Sequence, residues 1–134
     1  MRIDPDYAEA HNNLGAAFFL AGQILAAIDQ YEQALRLDPG YAMAQNNLGY
    51  ALVQTGRASE AIDHFQQALR ANPYSADAHN NLGAALARMG RTPEAIAEFK
   101  AALWINPGYT DARNNLTKLE ALQNNTPAKI DKTR

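Results

Sequence analysis

Apolar residues recur along this chain at helical spacing, in two alternating patterns. In the first, Ala10, Leu14, Ala17, Phe18 and Ala21 fall on one stripe at three- and four-residue steps, which predicts an α-helix. In the second, Ala61, Ile62, Phe65, Ala68 and Leu69 do the same. A glycine (Gly22, Gly56, Gly90) divides the two patterns and reads as the left-handed residue that ends the first helix. Asp-Pro or Asn-Pro (Pro39, Pro73, Pro107) closes the second, because proline disfavours helix in the residue before it. The helix pair then repeats with a period of 34 residues, marked by Asn-Asn-Leu at 12–14, 46–48, 80–82 and 114–116. Three full copies span 8–41, 42–75 and 76–109. A unit of this length cannot bury its own apolar face but can stack on copies of itself, so the pattern predicts an all-α solenoid.

With Ala8, Ala42 and Ala76 as repeat position 1, the copies share Leu-Gly at positions 7 and 8, glycine at 15, alanine at 20 and 27, an aromatic residue (Tyr31, Phe65, Phe99) at 24 and proline at 32. This skeleton resembles the tetratricopeptide repeat family, whose pattern is W-x2-L-G-x2-Y, then A-x3-F, then P. The resemblance implies a right-handed superhelical solenoid of helix-turn-helix repeats that serves as a protein-interaction module. Position 4 departs from it, with His11, Gln45, His79 and Arg113 in place of the aromatic. The position-8 glycine costs about 1 kcal/mol in a helix relative to alanine, which implies that the second helix approaches closely there.

The two ends read differently. Residues 1–7 carry Ile3-Asp4-Pro5-Asp6-Tyr7, which matches positions 30 to 34, so they are expected to be the remnant of a preceding repeat in a fragment with an added start methionine. Residues 110–123 continue the first-helix pattern with a polar outer face (Lys118, Glu120, Gln123) and are expected to cap the array. Residues 124–134 have little apolar content and are expected to be a disordered tail. At the other end Ala10, Leu14 and Ala17 lack a covering helix, which predicts a weak homodimer through two facing N-terminal ends. Self-assembly of this kind is the structural alternative to partner binding.

The repeated asparagines carry the main functional signal. On a helical projection, position 5 (Asn12, Asn46, Asn80, Asn114) points away from the core stripe, and the resemblance places that surface in a concave groove. Position 6 (Asn13, Asn47, Asn81, Asn115) lies at the groove's flank, where it either meets a ligand or bonds a neighbouring helix. A carboxamide offers a donor and an acceptor together, matching an extended peptide's backbone. The position-6 ladder is similar to that in the repeats of O-linked N-acetylglucosamine transferase, where it holds substrate peptides. Phe19, Tyr50 and Val53, at positions 12, 9 and 12, are either groove anchors or packed on Leu20 or each other. Chaperone adaptors of the family clamp a partner's terminal carboxylate with Lys and Asn at positions 5 and 9, Asn at 6 of the next repeat, and Lys and Arg at 2 and 6 of the third. The corresponding residues here are Asn12, Ala16, Asn47, Asp77 and Asn81, and Asp77 reverses the required charge.

Other chemistry is sparse. Net charge of −2 gives no footprint for nucleic acid, and the absence of cysteine removes disulfides, thiol nucleophiles and cysteine-based zinc sites. No stretch is apolar for long enough to span a membrane, and no signal peptide is present, so a soluble, cytoplasmic segment is expected, whose parent can still be membrane-attached. No cofactor, metal or enzymatic activity is expected. His11 and His79 lie two repeats apart, too far to share a metal, and His64 reads as a surface residue. Ser59, Ser75 and Thr92 before Pro93 read as helix caps. Trp104 is expected to pack on the last helix through Leu119 or Leu122, with an exposed oligomer contact as the alternative.

Overall fold

The computed structural model describes residues 5–124. Seven helices follow one another: α1 (Pro5–Leu20), α2 (Ile24–Leu37), α3 (Ala42–Gln54), α4 (Ala58–Ala71), α5 (Ala76–Arg88), α6 (Thr92–Ile105) and α7 (Thr110–Asn124). The odd helices are the first members of each repeat and the even helices the second. Each packs on its sequence neighbours, and α1, α3, α5 and α7 also touch in succession, which makes the layered stack of a solenoid. Among the described residues no helix is long and apolar enough to cross a membrane.

Close contact within each helix pair rests on the position-8 glycines. A Cβ added at Gly49 would lie 2.5 Å from the Phe65 ring; at Gly15 it would meet Tyr31 at 2.6 Å and at Gly83 Phe99 at 2.7 Å. The glycine face is thus the seat of the aromatic at position 24, and Tyr31, Phe65 and Phe99 are almost wholly buried there. Around them Ala27, Ala51, Ala61, Ala85, Ala95 and Ala102 are completely covered, small side chains that let the backbones approach.

The first helix of each pair ends as expected on a glycine with positive φ: Gly22 and Gly56 at 82° and Gly90 at 76°. There the N–H of the following residue reaches back to the helix, Gln23 to the Phe18 carbonyl, Arg57 to Leu52 and Arg91 to Leu86. Between repeats, the side chain at position 31 closes the turn: Asp38 accepts from the Gly40 N–H, Asn72 from Tyr74 and Asn106 from Gly108, each at 3.2 Å.

Several local expectations need correction. Ser75 does cap α5, its hydroxyl accepting from the Ala78 N–H at 3.1 Å. Ser59, however, lies inside α4, whose N-cap is Arg57, and Thr92 is already helical, with Arg91 at the N-cap of α6. In both places the arginine pairs with a glutamate three residues on, Arg57 with Glu60 and Arg91 with Glu94. Helix α1 already begins at Pro5, whereas the equivalent Pro39 to Tyr41 form a turn. Proline's fixed φ suits a first helical position and Asp6 favours the helix N-terminus. Trp104 is 79% exposed and does not pack as expected. Leu103, one residue earlier and 100° round the helix, packs against the core instead, as do Leu116 and Leu119 of α7. Leu122 is exposed as well. Leu14 is 45% exposed, against 2% for Leu48 and 4% for Leu82. Residues 125–134, most of the expected tail, fall outside the described residues, as do residues 1–4.

His64 was expected at the surface but is half-buried. It pairs with Gln45 across the α3–α4 interface, Nδ1 to Oε1 at 2.7 Å. The same link joins His11 to Gln30 and His79 to Glu98, both at 2.7 Å, so repeat positions 4 and 23 form a polar bridge within every hairpin. Position 4 also reaches the turn: Gln45 Nε2 donates to the Pro39 carbonyl, His79 Nε2 contacts that of Pro73, and an Arg113 guanidinium N–H donates to that of Pro107. Gln45, His79 and Arg113, which replace the family's aromatic, therefore latch α3, α5 and α7 to the preceding turn.

Two outcomes test this account. Gly49→Ala should lower stability by about 1–3 kcal/mol, read from the denaturant midpoint, although alanine is the better helix former, because the methyl collides with Phe65. Burial pushes the His64 imidazole below its ordinary value of 6.5; Arg57 pushes the same way, while Asp63, Glu32 and Glu60 oppose it. The unfolded chain therefore binds the proton first as pH falls, so this contribution is complete above that value and is lost as pH drops from it through the depressed one. Thermal melts of the parent and His64→Gln between about pH 7 and pH 5 should show the steeper decline in the parent.

Candidate functional site

The asparagines lie where α1, α3, α5 and α7 meet, and they form a directional ladder. Asn47 Nδ2 donates to Asn12 Oδ1 at 3.0 Å, Asn81 to Asn46 at 3.1 Å and Asn115 to Asn80 at 3.2 Å. Position 6 of each repeat is thus the donor and position 5 of the preceding repeat the acceptor. Among the described residues no buried side-chain nitrogen or oxygen lacks a partner, so the carboxamides are satisfied where they are enclosed.

This reverses the expected ranking of the two positions. Asn12 is 2% exposed and Asn80 is 7% exposed, Asn46 is partly covered, and only Asn114 is open. At position 6, Asn13 is exposed, while Asn47, Asn81 and Asn115 are partly covered. A projection of one helix onto its core stripe leaves out the second neighbour. In the stack, each first helix also touches the first helix of the next repeat, and position 5 faces it. Asn114 is open because no described helix follows α7 on that side, and Asn13 because none precedes α1.

The concave side of these helices forms a cavity of about 610 Å³ between α3, α5 and α7, lined by Asn46, Asn47, Asn80, Asn81, Asn114 and Asn115 together with Tyr50 and Val53. Val53 is 8% exposed and belongs to the floor, so it cannot serve as a projecting anchor. Phe19 and Tyr50 lie beside one another, with ring centroids 5.5 Å apart and planes tilted by 53°, and Tyr50 stays 43% exposed. They border a smaller hollow of about 270 Å³ between α1 and α3.

One contact at the rim was missed by the sequence reading. The Tyr109 hydroxyl donates to Asp77 Oδ1 at 2.6 Å, tying the last turn to the start of α5. Burial, this hydrogen bond and the negative charges of Asp77 and Asp111 hold the Tyr109 phenol well above the usual tyrosine range. Its signal in the sequence is Tyr at position 34 beside Asp at position 2, a pairing that only the stacked arrangement brings together. Among the described residues no group of three or more His, Cys, Asp or Glu side chains is arranged to hold a metal ion.

Solved structures with the same fold include the first TPR of Spaghetti (RPAP3) bound to the HSP90 peptide SRMEEVD. It is 23% identical over 92% of this chain and 98% of that one, with a TM-score of 0.89. The second TPR domain of human RPAP3, in complex with the HSP70 peptide SGPTIEEVD, is 25% identical, covers 87% and 98%, and has a TM-score of 0.83. MamA is 28% identical over 90% of this chain and 70% of that one, with a TM-score of 0.84. No curated protein sequence matches the chain. The tetratricopeptide repeat family model matches residues 2–42, 21–76 and 46–112, so nearly the whole described solenoid is covered. With its helix pairs, glycine seats and closing prolines in register with that match, the chain belongs to the tetratricopeptide repeat family.

Proposed function

We propose that this chain is a protein-interaction module whose concave face holds an extended peptide segment of a partner, with exposed carboxamides pairing to the peptide backbone. The carrying observation is the cavity of about 610 Å³ with six asparagines around it. The ladder uses one N–H of each position-6 side chain and leaves its oxygen and second N–H for a ligand. Asn114 at the open end has both groups available. The solved structures of the same fold support peptide binding, since two of them are complexes with a peptide. Their peptides end in Glu-Glu-Val-Asp, but Asp77 lines the groove here and would repel such a terminus. An internal segment fits this chain better.

The two asparagine roles separate experimentally. A double-mutant cycle on Asn12 and Asn47 should give a coupling of about 1 kcal/mol in stability, the size of one hydrogen bond, because they bond each other. Asn114→Ala should leave the thermal midpoint unchanged or slightly raised, since alanine is the better helix former. The same variant should weaken, by about tenfold, the binding of a peptide selected on this chain from a random display library, the loss expected for about 1.4 kcal/mol. Unchanged affinity would sink the carboxamide reading.

A further inference from the structure

The concave face is divided along its length. At the α1–α3 end the hollow of about 270 Å³ is bordered by Ala16, Phe19, Leu20 and Tyr50, with Tyr31 behind them. Leu20 is 87% exposed, an apolar side chain left in water beside an aromatic pair. The larger cavity toward α7 is charged on both lips. Asp77 and Asp111 stand at the first turns of α5 and α7, and Arg88 and Lys118 stand farther along the same helices. All four are exposed, and none takes part in the three ion pairs found among the described residues. Seven residues of helix separate Asp111 from Lys118 and eleven separate Asp77 from Arg88, so the acidic and basic lips lie about 10–16 Å apart.

An extended strand laid along this groove meets the two compartments in a fixed order. From the gap between α1 and α3 to that between α5 and α7 is two helix spacings, about 20 Å, or about six residues of extended chain. Successive side chains of a strand point to opposite sides, so neighbouring residues at the charged end face opposite lips. Charge complementarity then requires a cation toward Asp77 and Asp111 and an anion toward Arg88 and Lys118.

Building on the peptide-groove reading above, we infer that the preferred partner is an internal extended segment of defined pattern. It seats a large apolar side chain in the α1–α3 hollow and, about six residues away, presents a Lys or Arg directly beside an Asp or Glu to the charged lips. The apolar residue is the anchor, because its burial removes Leu20 and Tyr50 from water. The charged pair sets position and orientation along the groove.

Selection of a random peptide library, displayed with its C-termini blocked, on the intact chain tests this directly. Enrichment of a large apolar residue with a basic–acidic neighbour pair at that spacing is the expected result. Leu20→Ala should then abolish the apolar preference while keeping the charged one, and the pair Asp77→Asn and Asp111→Asn should do the reverse, each lowering the affinity of a selected peptide about tenfold. All three positions are exposed, and asparagine at 77 keeps an oxygen to accept from the Tyr109 hydroxyl, so an unchanged thermal midpoint of each variant confirms that the fold is intact. Binders that show neither preference would overturn the inference while leaving the groove reading intact. Failure to enrich any peptide would overturn the groove reading and this one with it.

Discussion

Everything in this solenoid depends on the contact between a bare glycine and an aromatic ring inside each hairpin. Where Gly15, Gly49 and Gly83 meet Tyr31, Phe65 and Phe99, no side chain stands between the helix backbone and the ring. That proximity fixes the distance and rotation between the two helices. Once they are fixed in one hairpin, the same geometry recurs in the next, and the concave face becomes a regular array. A glycine that is unfavourable in an isolated helix is therefore what makes the repeat stackable.

Polar links then set the remaining degrees of freedom. The bridges from position 4 to position 23 join the two helices of a hairpin at their outer side, and the same position-4 side chains hold the closing turns. The asparagine ladder joins successive hairpins on the inner side. Such bonds add little net stability individually, because water is a competent partner in the unfolded chain. Their geometric demand is stricter than that of apolar contact, and a hairpin displaced along its neighbour would strand the enclosed acceptor oxygens of Asn12 and Asn80.

The sequence alone discloses the helices, their glycine ends and the period, because each is written in residues close together in the chain. It discloses less about the site. Position 5 reads as solvent-facing on a single-helix projection, yet Asn12 is enclosed, because the helix that covers it is contributed by the following repeat. Trp104 departs from its reading because the core-facing side of α6 carries Leu103 there, and a rotation of one residue moves the indole into water. Position 4 looks like a missing aromatic until its hydrogen bonds across the hairpin are visible. For position 4 and for Asn12 the deciding neighbour is 19 and 35 residues away, beyond the reach of local periodicity.

The ladder also gives the array a chemical polarity, like that of a strand with a 5′ and a 3′ end. Every rung runs from a donor on the later repeat to an acceptor on the earlier one. The exposed Asn13 at one end and the exposed Asn114 at the other hold the donor and acceptor positions of the next rungs in that pattern. Only same-sense addition continues the ladder, so repeats of this sequence can lengthen in one orientation without any change to their design.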